Sequence, residues 1–78
     1  MPVAYITGAT SGIGRATAER FIEEGWTVVA MARREERLQE LQDAHPGSVH
    51  CFKLDVRDKA AVEHVFSEAK ERFGAPDV

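Results

Sequence analysis

The chain has 78 residues, 44% hydrophobic and 29% charged, with 10 Lys and Arg against 13 Asp and Glu for a formal net charge of -3. That size allows one domain, burying only roughly 60–65% of the surface its unfolded form exposes, and the composition is that of a globular α/β protein rather than a disordered one. The mixed charge excludes a basic nucleic-acid groove, no apolar run reaches the ~20 residues that cross a bilayer, and the lone Cys51 excludes an internal disulfide, so a cytoplasmic protein is expected.

Apolar patterning alternates between short continuous runs and longer helical periods, the signature of βαβ units feeding a parallel sheet. Val3-Ala4-Tyr5-Ile6 reads as the first strand. In the stretch after it, Ile13, Ala16, Thr17, Phe21 and Ile22 recur near i, i+3, i+4, i+8 and i+9, which predicts a helix with one apolar face, stopped by Gly25. Trp26 to Ala32 is a β-branched run expected to be buried on both faces. A charged helix from Glu35 to Ala44 follows, offering only Leu38 and Leu41 as an apolar line before His45-Pro46-Gly47 breaks it. Val49 to Val56 is the third predicted strand. Asp58 is placed to N-cap a last helix in which Val62, Val65, Phe66, Ala69 and Phe73 recur, with Gly74 at its end. Ala75-Pro76-Asp77-Val78 has the look of an approach to a fourth strand.

Between the first strand and first helix lies Thr7-Gly8-Ala9-Thr10-Ser11-Gly12-Ile13-Gly14. Three glycines spaced G-x-x-x-G-x-G in that position let the backbone approach an anion and aim helix N-terminal amides at it. A G-x-G-x-x-G fingerprint does not fit, because Thr17 stands where its third glycine belongs, and no Lys-Ser or Lys-Thr closes a Walker loop. Arg15, a cation in the first helical turn, opposes the helix dipole and reads as a solvated arginine.

The pattern T-G-x-x-x-G-x-G closely resembles the cofactor loop of the short-chain dehydrogenase/reductase family, and the whole chain follows that family's N-terminal half. The resemblance implies that Gly8 makes a tight turn and that Gly12 and Gly14 allow close packing and backbone approach, while Thr10, Ser11 and Ile13 line the phosphate side. The expected architecture is a partial Rossmann fold of the α/β class: a three-stranded parallel sheet, order 3-2-1, with three helices. Residues 1–78 would form the N-terminal half of an NAD(P)-binding domain, truncated before strand 4. Right-handed crossovers would put the first two helices on one face and the last on the other. The first strand then becomes an edge, whose unpaired backbone groups would let the fragment self-associate, the parent being a homo-oligomer.

In dinucleotide folds an acid at the end of the second strand takes the ribose 2′-hydroxyl, whereas arginine accommodates a 2′-phosphate. Here the acid position is Ala32, followed by Arg33 and Arg34, so the cofactor is read as NADP(H) rather than NAD(H). The competing reading has Glu35-Glu36 neutralising the arginines at a solvated helix start, with Glu35 on the ribose. Leu54-Asp55-Val56 resembles the family's Asp-Val pair, in which the carboxylate reaches the adenine amine; an Asp capping the following turn is the plainer role, and both coexist without conflict.

The family's Ser, Tyr-x-x-x-Lys and Asn have no counterpart that the pattern would recognise. Tyr5 is followed four residues on by Ala9 and reads as a core residue, Ser48 and Ser67 have no such partner, and the sequence contains no asparagine. His45, His50 and His64 are scattered, without metal-ligand spacing, and Cys51 reads as a small buried hydrophobe. Within the family, Arg33-Arg34-Glu35-Glu36-Arg37-Leu38-Gln39-Glu40-Leu41 resembles the NADP-dependent 3-hydroxy acid (serine-type) dehydrogenases, a look other reductases share. The expected function is the NADP(H)-binding portion of an oxidoreductase acting between a carbonyl and an alcohol, the fragment itself inactive; the alternative is a non-catalytic dinucleotide-binding or sensing module.

Overall fold

An apolar run without polar alternation needs cover on both faces, and the run at Thr27–Ala32 obtains it by becoming the central strand. The computed structural model describes residues 2–78, in the order β1 (Val3–Thr7), α1 (Gly12–Glu23), β2 (Thr27–Ala32), α2 (Glu35–Ala44), β3 (Val49–Lys53) and α3 (Lys59–Phe73). The three strands form one parallel sheet, β1-β2-β3, the expected 3-2-1 order. Val3 pairs with Thr27 and Thr7 with Met31 on one side of β2, and Val28 with Val49 and Ala32 with Lys53 on the other. All strand-to-helix turns therefore lie at one end of the sheet.

Two cores flank β2. Val28, Ala30 and Ala32 face α1 and α2, packing with Ala18, Leu38, Leu41 and Val49. Val29 and Met31 face α3, packing with Val3, Leu54, Val65 and Ala69. Full burial of a Val, Leu or Met side chain contributes roughly 1.5–3 kcal/mol. Two such side chains, Leu38 and Leu41, are all that α2 buries. On the same side, the half-buried Cys51 thiol donates to the Leu38 carbonyl at 3.4 Å, and burial pushes its pKa up.

The end of α1 is set by chemistry the sequence announced. Gly25 takes φ +86° just past the helix, its N–H bonds to Ile22 O at 3.0 Å, and Trp26 N–H bonds to Phe21 O at 3.0 Å. This double closure is the Schellman motif, and its hydrophobic clasp is the edge-on contact of Trp26 with Phe21, centroids 4.8 Å apart. Asp58 N-caps α3, accepting from Ala61 N–H at 3.1 Å.

Three expectations are corrected. The buried line of α1 is Ala18 with Phe21 and Ile22 behind it, not Ile13, Ala16 and Thr17, all of which are exposed. Glycine sets that phase, because Gly14 brings the helix against the backbone at Gly8 and so turns Ala18, one turn further on, inward. The third strand ends at Lys53 rather than Val56, although Leu54 N–H still bonds to Ala32 O at 2.8 Å. Beyond it, Arg57 N–H bonds to the Asp55 carboxylate and Asp58 N–H to Asp55 O, a turn that leads the chain off the sheet and leaves Val56 exposed.

The third correction concerns the outer edge of β1, which is not bare. Gly74, at φ +89°, ends α3, and the residues after it return to β1. Asp77 N–H bonds to Val3 O at 2.8 Å, Tyr5 N–H to Val78 O at 2.9 Å, and Val3 N–H to Asp77 Oδ2 at 2.9 Å. The approach to a fourth strand thus already pairs with the first, and the backbone groups expected to be free at Val3 and at the Tyr5 amide are satisfied. Tyr5 itself is tied into this region: its hydroxyl donates to Gly74 O at 2.6 Å, its ring meets Phe66 edge-on, and burial raises its pKa.

Candidate functional site

Because the sheet is parallel, the loops after β1, β2 and β3 converge at its carboxyl end, where open α/β sheets hold their ligands. They enclose an open cleft of about 620 Å³. Gly8, Thr10 and Ser11 come from the first loop; Ala32, Arg33 and Arg34 from the second; Leu54, Asp55 and Val56 from the third. Seven of the residues singled out from the sequence, spread over 49 positions from Gly8 to Val56, thus line one space.

The first loop is shaped by two glycines with different duties. Gly8 adopts φ +65°, the left-handed region in which a β-carbon is strained. A β-carbon at Gly14 would overlap the Gly8 carbonyl oxygen and stand 2.8 Å from its carbonyl carbon, so that glycine is required by the protein's own packing. Gly12 is different. Nothing lies within 4 Å of where its β-carbon would be, and its backbone is ordinary. Neither Gly12, Ile13 nor Gly14 forms part of the cleft wall. The Ile13 side chain is 87% exposed, leaving its backbone N–H as the group able to serve an anion.

Ser11 occupies the N-cap of α1, yet its hydroxyl turns back to Gly8 O at 2.9 Å and gives the helix no side-chain cap. The first α1 amide seen bonded is that of Arg15, to Ser11 O at 2.7 Å. Among the described residues, the N–H groups of Gly12, Ile13 and Gly14 meet no acceptor, and no acid stands in the first turn. An uncompensated helix start of this kind attracts an anion by about 0.3–1 kcal/mol at an exposed site, and more where water is partly excluded. Arg15 leans along the helix instead, its Nε 3.7 Å from Glu19 Oε1.

The second loop supplies full charges. Arg33 and Arg34 are exposed, and neither forms an ion pair among the described residues. Glu35 and Glu36 lie in the first turn of α2 and are not bonded to the arginines. Their position favours the α2 dipole, which accounts for them without a ligand. Two arginines that sequence reasoning passed over also line the cleft, Arg37 and Arg57. Arg37 stands in the first turn of α2, three residues after the N-cap Arg34, and so stays at the cleft end of that helix. Four arginines and one aspartate therefore line the cleft of a chain whose net charge is -3.

Asp55 does not stand free. Its Oδ1 accepts from the Arg57 backbone N–H at 3.0 Å and from Nε at 3.1 Å, and its Oδ2 accepts from Nη2 at 2.9 Å. The side-chain and backbone hydrogen bonds from Arg57, aided by the charges of Arg57 and Arg33, pull the Asp55 pKa down to about 2. Asp55 is consequently an ionised acceptor at every pH near neutrality. The plainer turn-capping role is present, and it is this i to i+2 spacing that could have pointed to Arg57.

Among the described residues no group of three His, Cys, Asp or Glu is placed to hold a metal ion, and no helix is long and apolar enough to cross a membrane.

The chain is similar to several known proteins. The family model for short chain dehydrogenases matches residues 2–78. Sulfoacetaldehyde reductase 2 of Chromohalobacter salexigens is 49% identical over 73 residues, which are 91% of this chain and 29% of that protein. The NADP-dependent 3-hydroxy acid dehydrogenase YdfG of Escherichia coli K12 is 43% identical over 65 residues, 83% of this chain and 26% of its own length. A solved structure, the closed form of serine dehydrogenase complexed with NADP+, superposes with a TM-score of 0.90 at 39% identity, covering 96% of this chain and 30% of that one. The chain thus spans less than a third of the length of each of these relatives.

Proposed function

Since the chain belongs to the short-chain dehydrogenase family, we propose that it is the NADP(H)-binding portion of an oxidoreductase that moves hydride between nicotinamide and a carbonyl or alcohol group. The observation that carries the choice of NADP(H) is the second loop: Arg33 and Arg34, free of ion pairs, border the cleft where Ala32 leaves no carboxylate to repel a 2′-phosphate. Guanidinium forks bind phosphate in charge-assisted, directional fashion, which suits this task better than diffuse positive charge.

The rest of the cleft fits the same ligand. Beside the cleft wall, the amides of Gly12, Ile13 and Gly14, without acceptors among the described residues, would receive the pyrophosphate, and the open space over Gly12 is room that a side chain would fill. Thr10 and Ser11 flank that seat. Arg33 would hold the 2′-phosphate with Arg34 beside it. Asp55 would accept from the adenine amine while Val56, exposed at the cleft rim, covers the base. The bound cofactor supplies the hydride chemistry; these residues bind and orient it.

No residue of the chain is assigned to proton transfer, and Tyr5 is engaged by Gly74 O and Phe66. We read residues 1–78 as the first half of a doubly wound domain in which a fourth strand continues from Asp77-Val78 beside β1. The names of the relatives point to small hydroxy acids and a sulfonated aldehyde as the substrate class. The unpaired Cys51 is in keeping with work in the cytoplasm.

Charge reversal at Arg33 tests the assignment. In a fluorescence titration Arg33→Glu should weaken NADPH binding by about 100-fold while NADH binding changes little. Unchanged NADPH binding would remove Arg33 from the site.

A further inference from the structure

A carboxylate that recognises a base should be held at a defined angle, and among the described residues Arg57 alone bonds the Asp55 carboxylate. Each carboxylate oxygen offers two lone-pair positions. Oδ1 has both filled, by the Arg57 backbone N–H and by Nε; Oδ2 has one filled, by Nη2, and keeps one. The guanidinium approaches side-on, so that both oxygens are fixed in its plane. Packing does not impose this arrangement, because the Arg57 side chain is 76% exposed. The two groups define each other's position.

We propose that Arg57 is a positioning residue that fixes the Asp55 carboxylate so that one Oδ2 lone pair faces the cleft, making the site selective for a 6-amino purine over a 6-oxo purine. The inference rests on the reading of Asp55 as the adenine contact and deepens it. A 6-amino group donates to the remaining lone pair. A 6-oxo group brings a second acceptor against it and meets repulsion. Without the side-chain fork, Asp55 keeps the backbone bond from residue 57 but loses the constraint on Oδ2, and the carboxylate rotates to suit either base. A guanidinium acting instead as one more phosphate cation would strengthen binding of both cofactors alike, since their phosphates are identical.

The test is a pair of titrations on the full chain, with NADPH and with its hypoxanthine analogue, for wild type, Arg57→Ala and Arg57→Lys. Wild type should prefer NADPH, and Arg57→Ala should reduce that preference by about fivefold, with the loss falling on NADPH. Arg57→Lys should behave like Arg57→Ala, because an ammonium is a point charge that does not span both oxygens. Equal weakening toward both cofactors, an unaltered preference in Arg57→Ala, or full restoration by lysine would each overturn the role of the fork. A wild-type chain that binds neither cofactor, or binds both equally, would instead sink the reading of Asp55 and the inference with it.

Discussion

The turns after β1 and β2 lead into helices at the same end of the sheet, yet they treat the positive end of their helix in opposite ways. Before α1, Ser11 withholds its hydroxyl, the first turn contains no acid, and three amides stay without partners among the described residues. Before α2, Glu35 and Glu36 occupy the first turn and satisfy the dipole from within. The first loop is glycine, so on the proposed function its backbone itself would be the binding surface. The second is arginine, so its charge sits at the ends of long side chains. A helix start suits an anion only where the sequence leaves it uncompensated, and on the proposed function the same fold element would serve as a phosphate seat in one case and as a scaffold for cations in the other.

The contrast can be broken first at Gly14. Its β-carbon would collide with the backbone of Gly8, which cannot yield as a side-chain tip does, and would crowd Ala9 Cα at 3.3 Å. Gly14→Ala should cost about 2–3 kcal/mol of stability, read in a thermal melt as a fall of roughly 10–20 °C. A melting point within a few degrees of wild type would mean that α1 is free to move away from the strand.

Gly12 sharpens the comparison because it separates ligand space from protein packing. With ordinary backbone angles and nothing near its missing β-carbon, Gly12→Ala should alter stability by less than about 1 kcal/mol. NADPH affinity should nevertheless fall by about tenfold, as the methyl group occupies room that the pyrophosphate needs. Calorimetry reporting wild-type affinity would show that the phosphate does not approach here.

The smallest expected effect lies on the second loop. Removing charge in Glu35→Gln should reduce stability by only about 0.3–1 kcal/mol through the α2 dipole and leave NADPH affinity within about twofold of wild type. A marked loss of affinity would place Glu35 on the ribose and reverse the account of this loop.

What the sequence made legible was whatever local chemistry decides. The Gly25 stop, the Asp58 cap and the doubly buried β2 follow from residue types whose effect does not depend on distant partners. The phase of α1 was not legible, because Ile13, Ala16 and Thr17 form a plausible apolar face until Gly14 is seen pressed against Gly8. The edge of β1 was misjudged for a related reason: whether Asp77 and Val78 reach Val3 and Tyr5 depends on the turn at Gly74, not on the composition of either segment. Within the site, the glycine loop, Arg33, Arg34 and Asp55 were recognisable by position. Arg57 was passed over, because only the i to i+2 turn spacing hinted at the three bonds it makes to Asp55.

On the proposed function the two loops cooperate, amides for the pyrophosphate and guanidiniums for the 2′-phosphate. Isothermal calorimetry of the wild-type chain with NADPH and with NADH, at low and at raised salt, tests it most directly. NADPH should bind about 10- to 100-fold more tightly than NADH, and the margin should narrow as salt screens Arg33 and Arg34. Equal affinities, or a preference for NADH, would contradict it.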